Sequence, residues 1–273
     1  MSNRLEGDPF LVTKEHRRFA EFCDACRRYR YIGLCYGVPG VGKTLSARTY
    51  AQWDRIETLS PQLLAGVPPV PEILACRTVF YTAPVNNSPH TIHQEVRSRR
   101  RDLSALVSAM RWVLDGRTDY PLTFQGADLT ELVIVDEADR LKPVGLEQVR
   151  DLYDRSTIGL VLIGMPGIEK RLARYPQLYS RVGFVHHFQP LSVEEMHFVL
   201  RHKWQQLGLT IDLSDFTDAE AVAAIIRITG GNFRLLQRLF SQIGRIMAIN
   251  ELRTLTKEVV ESARELLVIG PTP

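Results

Sequence analysis

Gly37-Val38-Pro39-Gly40-Val41-Gly42-Lys43-Thr44 follows the pattern G-x-x-x-x-G-K-[ST]. Those residue types at that spacing bind phosphate. Glycines let the backbone curl until successive N–H groups point inward at anionic oxygens. A helix that starts where the loop ends adds its positive N-terminal end to the same anion. Lys43 reaches the β- and γ-phosphates of a nucleotide, and the Thr44 hydroxyl ligates Mg²⁺. Gly37, Pro39, Gly40, Val41, Gly42, Lys43, Thr44 and Leu45 are therefore the candidate nucleotide-binding residues.

Such a loop has to be held between a strand and a helix. Tyr31-Ile32-Gly33-Leu34-Cys35-Tyr36 reads as the buried strand before it, and Thr44 to Ala51 as the helix after it. The site also needs a metal-holding carboxylate at the end of a neighbouring strand. Leu132-Val133-Ile134-Val135-Asp136-Glu137 supplies one. Four apolar residues in a row predict a strand buried on both faces, as in a parallel sheet. Asp136 then lies at the carboxyl end, where α/β folds place ligands, and holds Mg²⁺ together with Thr44. Glu137, one residue on, is the candidate general base for an attacking water.

The phosphate loop and the Asp136-Glu137-Ala138-Asp139 run resemble those of AAA+ ATPases. The resemblance implies an α/β fold: a P-loop core with a parallel five-stranded sheet flanked by helices, and a small C-terminal helical lid. The core with an N-terminal helix is assigned to residues 1–190 and the lid to 191–273. Leu160 to Gly164 resembles the fourth core strand and Val182 to Phe188 the fifth. The resemblance also implies an ATPase with ATP and Mg²⁺ as cofactors. It places the arginine finger, which reaches a neighbouring subunit's ATP, at Arg181, with Arg171 and Arg174 as alternatives. Arg234, in Gly230-Gly231-Asn232-Phe233-Arg234, takes the position that contacts the γ-phosphate from the lid. Thr13 to His16 resembles the segment near the adenine. One position departs from the pattern: Met165 stands after the fourth strand where a polar residue is usual. A thioether makes poor hydrogen bonds, which implies slow hydrolysis or a substitute such as Asn86 or Asn87.

The chain as a whole limits the alternatives. Its 273 residues suffice for one large core and a smaller domain. No apolar run reaches membrane-spanning length, and Met1 to Asp8 lacks an apolar secretory core, so a cytoplasmic protein without a membrane anchor is expected. Cys23 and Cys26 lie three apart in a predicted helix without a second pair, and read as small core residues. His186 and His187 alternate faces on a strand, so they do not share a metal.

Residues 10–30 read as a helix, Leu59 to Pro71 as an irregular connection rich in proline, and Thr91 to Leu114 as a long helix. After Pro190 the patterns are helical only. Ser192 with Glu195, and Thr217 with Glu220, read as capping boxes. Asn232 is placed to cap a helix to about Ile249, and Thr256 one to about Val268. The sequence stops shortly after, at Gly270-Pro271-Thr272-Pro273, and no additional C-terminal winged-helix domain is expected.

The net charge is only +3, so global charge does not announce a polyanion. Local charge does. Arg97, Arg99, Arg100 and Arg101 fall within five residues, and Arg140 and Lys142 follow the acidic run. Such a cluster can track a phosphate backbone without reading bases. From residue 10 to 268 the chain resembles the AAA+ regulators of DNA transposition, the TnsC/TniB type, with the phage Mu B protein more distant. The segments that carry this are Val85 to His90, Gly164-Met165-Pro166-Gly167, Tyr175 to Arg181, and Gly230 to Leu236. The resemblance implies a homo-oligomer, ring or helical filament, on sequence-nonspecific duplex DNA. It would deliver target DNA to a DDE-type transposase, with a targeting adaptor as a further partner and hydrolysis driving disassembly. Two other branches remain open: an AAA+ ATPase of secretion-assembly type, and a replication initiator or clamp-loader relative.

Overall fold

The computed structural model describes residues 10–59, 70–117 and 126–267. Met1 to Asp8, Gly270 to Pro273 and most of the connection from Leu59 to Pro71 lie outside the described residues. The chain separates into two compact units. One holds His16–Gly37 and Lys43–Phe188, and the other Met1–Glu15, Val38–Gly42 and Gln189–Pro273. The division expected after residue 190 is thus drawn at Gln189, and a piece of the N-terminus and the interior of the phosphate loop group with the C-terminal unit.

The first unit is built on a five-stranded parallel sheet in the order β2-β3-β4-β1-β5. The strands are β1 (Ile32–Tyr36), β2 (Thr78–Thr82), β3 (Leu132–Asp136), β4 (Gly159–Gly164) and β5 (Val182–His187). β1, β3, β4 and β5 match the sequence reading to within one residue at either end. The central strands β3 and β4 are buried along their whole length, because βαβ connections lay helices on both faces of a parallel sheet. The register brings Tyr36 beside Gly164 and Thr82 beside Asp136, so the strands finish together at their carboxyl ends. β5 is an edge strand whose exposure alternates. Half-buried His186 packs on Phe19, Phe22 and Phe188, while exposed His187 stacks on Tyr36. Helix α1 (Lys14–Tyr29) buries Cys23 and Cys26 as expected. Burial pushes the Cys26 thiol up to about 12, which keeps it protonated and unreactive.

The helices of this unit after β1 are α2 (Lys43–Tyr50), α3 (Trp53–Thr58), α4 (Pro71–Leu74) and α5 (Pro89–Leu114). Between β3 and β5 come α6 (Pro143–Asp154), α7 (Ile168–Leu172) and α8 (Pro176–Tyr179). Ser88 caps α5 by accepting from the Thr91 amide, and Pro89 fills the first position, where no amide hydrogen is missed.

The second unit is helical among the described residues: α9 (Val193–Gln206), α10 (Phe216–Thr229), α11 (Phe233–Ile249) and α12 (Lys257–Glu265). Its core joins Trp204, Ile225, Leu239, Ile243 and Val260. Ser192 and Glu195 form the predicted capping box. Glu195 also accepts from the Glu15 amide at 3.0 Å, and Glu15 from the Gln189 amide at 3.0 Å, which pins the N-terminal segment to this unit. The second capping box is corrected. α10 starts at Phe216, and its cap is Asp215, which accepts from the amides of Thr217 and Asp218. Thr217 therefore lies inside the helix. A carboxylate two residues earlier satisfies two orphan amides and complements the dipole better than a hydroxyl does. Thr256 holds the cap position of α12 without a side-chain bond to its amides. No helix among the described residues is long and apolar enough to cross a membrane.

Candidate functional site

The ends of β1 and β3 bring Lys43, Thr44 and Asp136 together. Thr44 Oγ1 donates to Asp136 Oδ2 at 2.8 Å, across 92 residues of sequence. Asp136 is only 3 % exposed. Burial raises its carboxyl pKa, and the Thr44 bond works against that rise. Lys43 donates from Nζ to the Gly37 carbonyl at 2.5 Å. Burial lowers its ammonium pKa, while Asp136, Glu137 and Asp139 hold it up. The ammonium thus rests on its own loop, with three carboxylates nearby.

Glu137 directly follows the strand and adopts a left-handed backbone, φ 55 and ψ 39. A non-glycine residue there carries strain of about 1–3 kcal/mol, a feature that clusters at functional sites. Its carboxylate lies 3.5 Å from Arg140 Nη2. Arg140 also donates to the Ala83 carbonyl at 3.0 Å, and Asn87 donates to the Pro84 and Arg140 carbonyls at 2.8 and 3.1 Å. The loops after β2 and β3 are stitched together by these bonds. Asn87, considered above as a phosphate-facing polar group, spends its amide nitrogen on them, while Asn86 is exposed.

Asp139 ties the next loop. Its Oδ2 accepts from the Met165 amide at 2.7 Å. Arg171 donates to the Asp139 carbonyl at 2.5 Å and also to Leu141. Arg171 therefore braces the turn Ala138–Arg140 from within the same unit. Arg171, named above as an alternative finger, thus has both terminal nitrogens engaged within its own chain. Arg174 is exposed. Arg181 forms a two-point pair with Asp154, Nε to Oδ1 at 2.6 Å and Nη2 to Oδ2 at 3.0 Å, and its side chain is one-third exposed. The bracing role of Asp139 escaped the sequence reading. The signal was the acid itself, three residues after the strand end, which sequence alone does not connect to β4.

Residues 38–42 of the loop group with the helical unit, where α11 begins. The Arg234 amide donates to the Gly40 carbonyl at 2.9 Å, and Asn232 Nδ2 to the Pro39 carbonyl at 2.8 Å. The Asn232 Oδ1 meanwhile caps α11 by accepting from the Leu235 amide at 3.1 Å. Gly40 has φ +83, and a Cβ there would lie 2.5 Å from Asn232 Oδ1; Gly42 has φ +111. Both positions need glycine, the first for room as well as for backbone. The start of α11 thus engages the carbonyls of Pro39 and Gly40. Val41 is buried, Leu45 half-buried, and the Arg234 side chain exposed.

The arginine cluster divides. Arg100 pairs with Asp128 at 2.8 Å and donates to Ser156 at 3.1 Å. Arg99 lies 3.6 Å from Glu95 and stands over the rings of Tyr81 and Trp53. Those two are fastened within the sheet unit. Arg97 and Arg101 are exposed, one turn apart on the same face of α5, and Lys142 is exposed at the start of α6.

The donor set fits a magnesium nucleotide. One buried carboxylate beside one hydroxyl is a common protein share for Mg²⁺, whose other ligands are phosphates and waters. Among the described residues no cluster of three or more His, Cys, Asp or Glu could hold a metal, and such an ion requires none.

Comparison with known proteins agrees with this geometry. The AAA domain family profile matches residues 26–172. A Staphylococcus aureus protein named "Potential ATP-binding protein" is 48 % identical over 272 residues, 96 % of this chain and 97 % of that one. The Haemophilus influenzae Mu-like prophage FluMu DNA transposition protein B is 25 % identical over 249 residues, covering 87 % of this chain and 73 % of the relative. General secretion pathway protein A of Aeromonas hydrophila is 31 % identical over 137 residues, 47 % of this chain and 24 % of that protein. Among solved structures, Thermotoga maritima RuvB, a Holliday junction branch migration motor, superposes with a TM-score of 0.59 at 16 % identity, over 94 % of this chain and 70 % of that one. Sheet, phosphate loop and profile coincide, and the chain belongs to the AAA domain family, with its AAA+ P-loop fold.

Proposed function

We propose that this protein is an ATP-dependent, DNA-binding regulator of transposition. It would oligomerise on duplex DNA and present target DNA to a transposase, with hydrolysis driving disassembly. The Thr44–Asp136 bond at 2.8 Å carries the nucleotide part: it sets a hydroxyl and a buried carboxylate where the loop lysine already stands. The similarity to a Mu-like transposition protein, over 87 % of this chain, supports the branch.

Bound Mg²⁺ supplies charge neutralisation on the β- and γ-phosphates. Lys43 exchanges its contact with Gly37 for phosphate oxygens, which restores the solvation that burial removed. The loop amides cradle the anion, and Thr44 and Asp136 hold the metal. Glu137 accepts the proton of an attacking water, for which it leaves Arg140. Arg234 reaches the γ-phosphate of its own subunit's nucleotide. Arg181 leaves Asp154 for a neighbour's, so the triphosphate favours the assembled state by binding it preferentially. Met165 offers only a committed backbone amide where the family places a polar side chain, and turnover is accordingly slow. Arg97, Arg101 and Lys142 contact DNA phosphates, with Arg99 and Arg100 supporting the helix that carries them.

The test is fluorescence anisotropy of a labelled duplex titrated with the protein. Binding at least tenfold tighter with a non-hydrolysable ATP analogue than with ADP, indifferent to sequence, is expected. Equal binding in both nucleotides rejects the reading. The similarity to a secretion pathway protein supports a second reading, an ATPase acting on protein assemblies. Nucleotide-driven oligomers that ignore DNA would favour it.

A further inference from the structure

Helix α11 presents a row of arginines that the nucleotide chemistry does not use beyond its first member. The helix contains no acidic residue between Phe233 and Ile249. Its buried face is Leu236, Leu239, Phe240, Ile243 and Met247. On the opposite face Arg234, Arg238, Ser241 and Arg245 are exposed. At about 100° per residue the last three fall within about 40° of Arg234, in a straight stripe about 16 Å long. Among the described residues none of these arginines has an ion-pair partner within 4.0 Å.

The contrast with the rest of the unit is informative. Arg227 and Arg264 of the neighbouring helices both face Glu261. On α5, two of the four clustered arginines are fastened to acids. The stripe is therefore the better polyanion surface, although its arginines are spread thinly in sequence. A face that docks a protein needs apolar or aromatic anchors at its centre. Between Arg234 and Arg245 the other exposed residues are Gln237 and Ser241, with no large apolar side chain. Guanidinium groups spaced along one line, with polar spacers that can bond phosphate oxygens, suit a nucleic-acid backbone.

We propose that the Arg238–Ser241–Arg245 face of α11 is a second phosphate-backbone contact for duplex DNA, separate from the α5 arginines. The proposal rests on the DNA-binding reading above. It assigns the helical unit a share of DNA affinity that is independent of sequence and falls with salt.

The experiment uses the full chain with Arg238→Ala and Arg245→Ala combined, and duplex binding measured by anisotropy with a non-hydrolysable ATP analogue over a salt series. Arg227→Ala with Arg264→Ala is the control, since both side chains already face a carboxylate. Removing two phosphate contacts should flatten the log–log salt slope by about 1.8 and weaken binding roughly tenfold or more at low salt. Nucleotide affinity and Tm should match the wild type, and the control pair should keep the full slope. An unchanged slope and affinity in the Arg238/Arg245 variant, with wild-type protein binding DNA normally, overturns the proposal and leaves the DNA reading intact. Loss of transposase binding with unchanged DNA binding overturns it in favour of an acidic protein partner. Wild-type protein that binds no DNA in any nucleotide state removes both readings together.

Discussion

Asn232 bonds two elements at once: Nδ2 donates to the Pro39 carbonyl at 2.8 Å while Oδ1 caps α11 through the Leu235 amide at 3.1 Å. The cap and the phosphate loop therefore depend on one side chain, and isosteric changes separate them. In Asn232→Asp the oxygen still caps, but the donor to Pro39 is gone. The variant should fold with a Tm near that of the wild type and bind nucleotide about five- to tenfold more weakly, the worth of one hydrogen bond. Asn232→Ala should lose both, with a further cost of about 0.5–2 kcal/mol in stability from the missing cap. Thermal melts and titration with a fluorescent nucleotide measure the two effects. Wild-type nucleotide affinity in Asn232→Asp would show that the bond to Pro39 does not shape the loop.

Asp136 predicts a trade between stability and function. Burial raises its pKa, so the folded protein binds more protons at this site than the unfolded chain. Stability then falls as pH climbs from the ordinary carboxylate value through the raised one. Asp136→Asn removes the buried charge and can still accept from Thr44. The nucleotide-free protein should gain about 0.5–2 kcal/mol at pH 7, with the gain shrinking as pH falls through the raised value and gone below the ordinary carboxylate value. Mg²⁺-dependent nucleotide binding should drop. Denaturant melts at pH 7 and pH 4 check the first part; a variant less stable than wild type at pH 7 contradicts it.

Glu137 tests the chemical step. Glu137→Gln keeps the shape and the turn, and removes the base. Phosphate release should fall about 10²–10⁴-fold with nucleotide affinity within a factor of two or three, and DNA-bound assemblies should persist after ATP is added. Disassembly at the wild-type rate would remove Glu137 from that role.

Arg181 is held by Asp154 in the isolated subunit. A partly exposed pair of this kind contributes about 0–1 kcal/mol, so Arg181→Ala should fold normally and bind ATP. Mixed with Glu137→Gln, which keeps its arginine, it should regain hydrolysis, because an Arg181→Ala site beside a Glu137→Gln subunit then has both groups. No recovery in such mixtures would place Arg181 outside the neighbour's site.

The strands were legible because β3 and β4 are uninterrupted apolar runs, buried on both faces. The phosphate loop was legible because its glycines, lysine and threonine are contiguous. What the sequence concealed depends on pairs far apart in the chain. Arg100 is paired by Asp128 and hydrogen-bonded by Ser156, and the Ala138–Arg140 turn is braced by Arg171 and Asp139. Nothing in local spacing announces such partners. Two features were within reach of periodicity. Arg97 and Arg101 share a helix face that Arg99 does not, and Arg238 and Arg245 align with Arg234. Density singles out Arg99 and Arg100 as well, which face Glu95 and Asp128, whereas helical phase brings out the alignment on α11. The misplaced cap at Thr217 has a similar origin: the S/T-x-x-E pattern is satisfied there, but Asp215 lies at the actual helix start.

Negative-stain electron microscopy with a long duplex tests the central claim most directly, comparing ATP, a non-hydrolysable analogue and ADP. Regular rings or filaments on DNA with the two triphosphates, persisting in the analogue, decaying with ATP and absent in ADP, are predicted. Assemblies that form equally with ADP, or equally without DNA, would contradict the account.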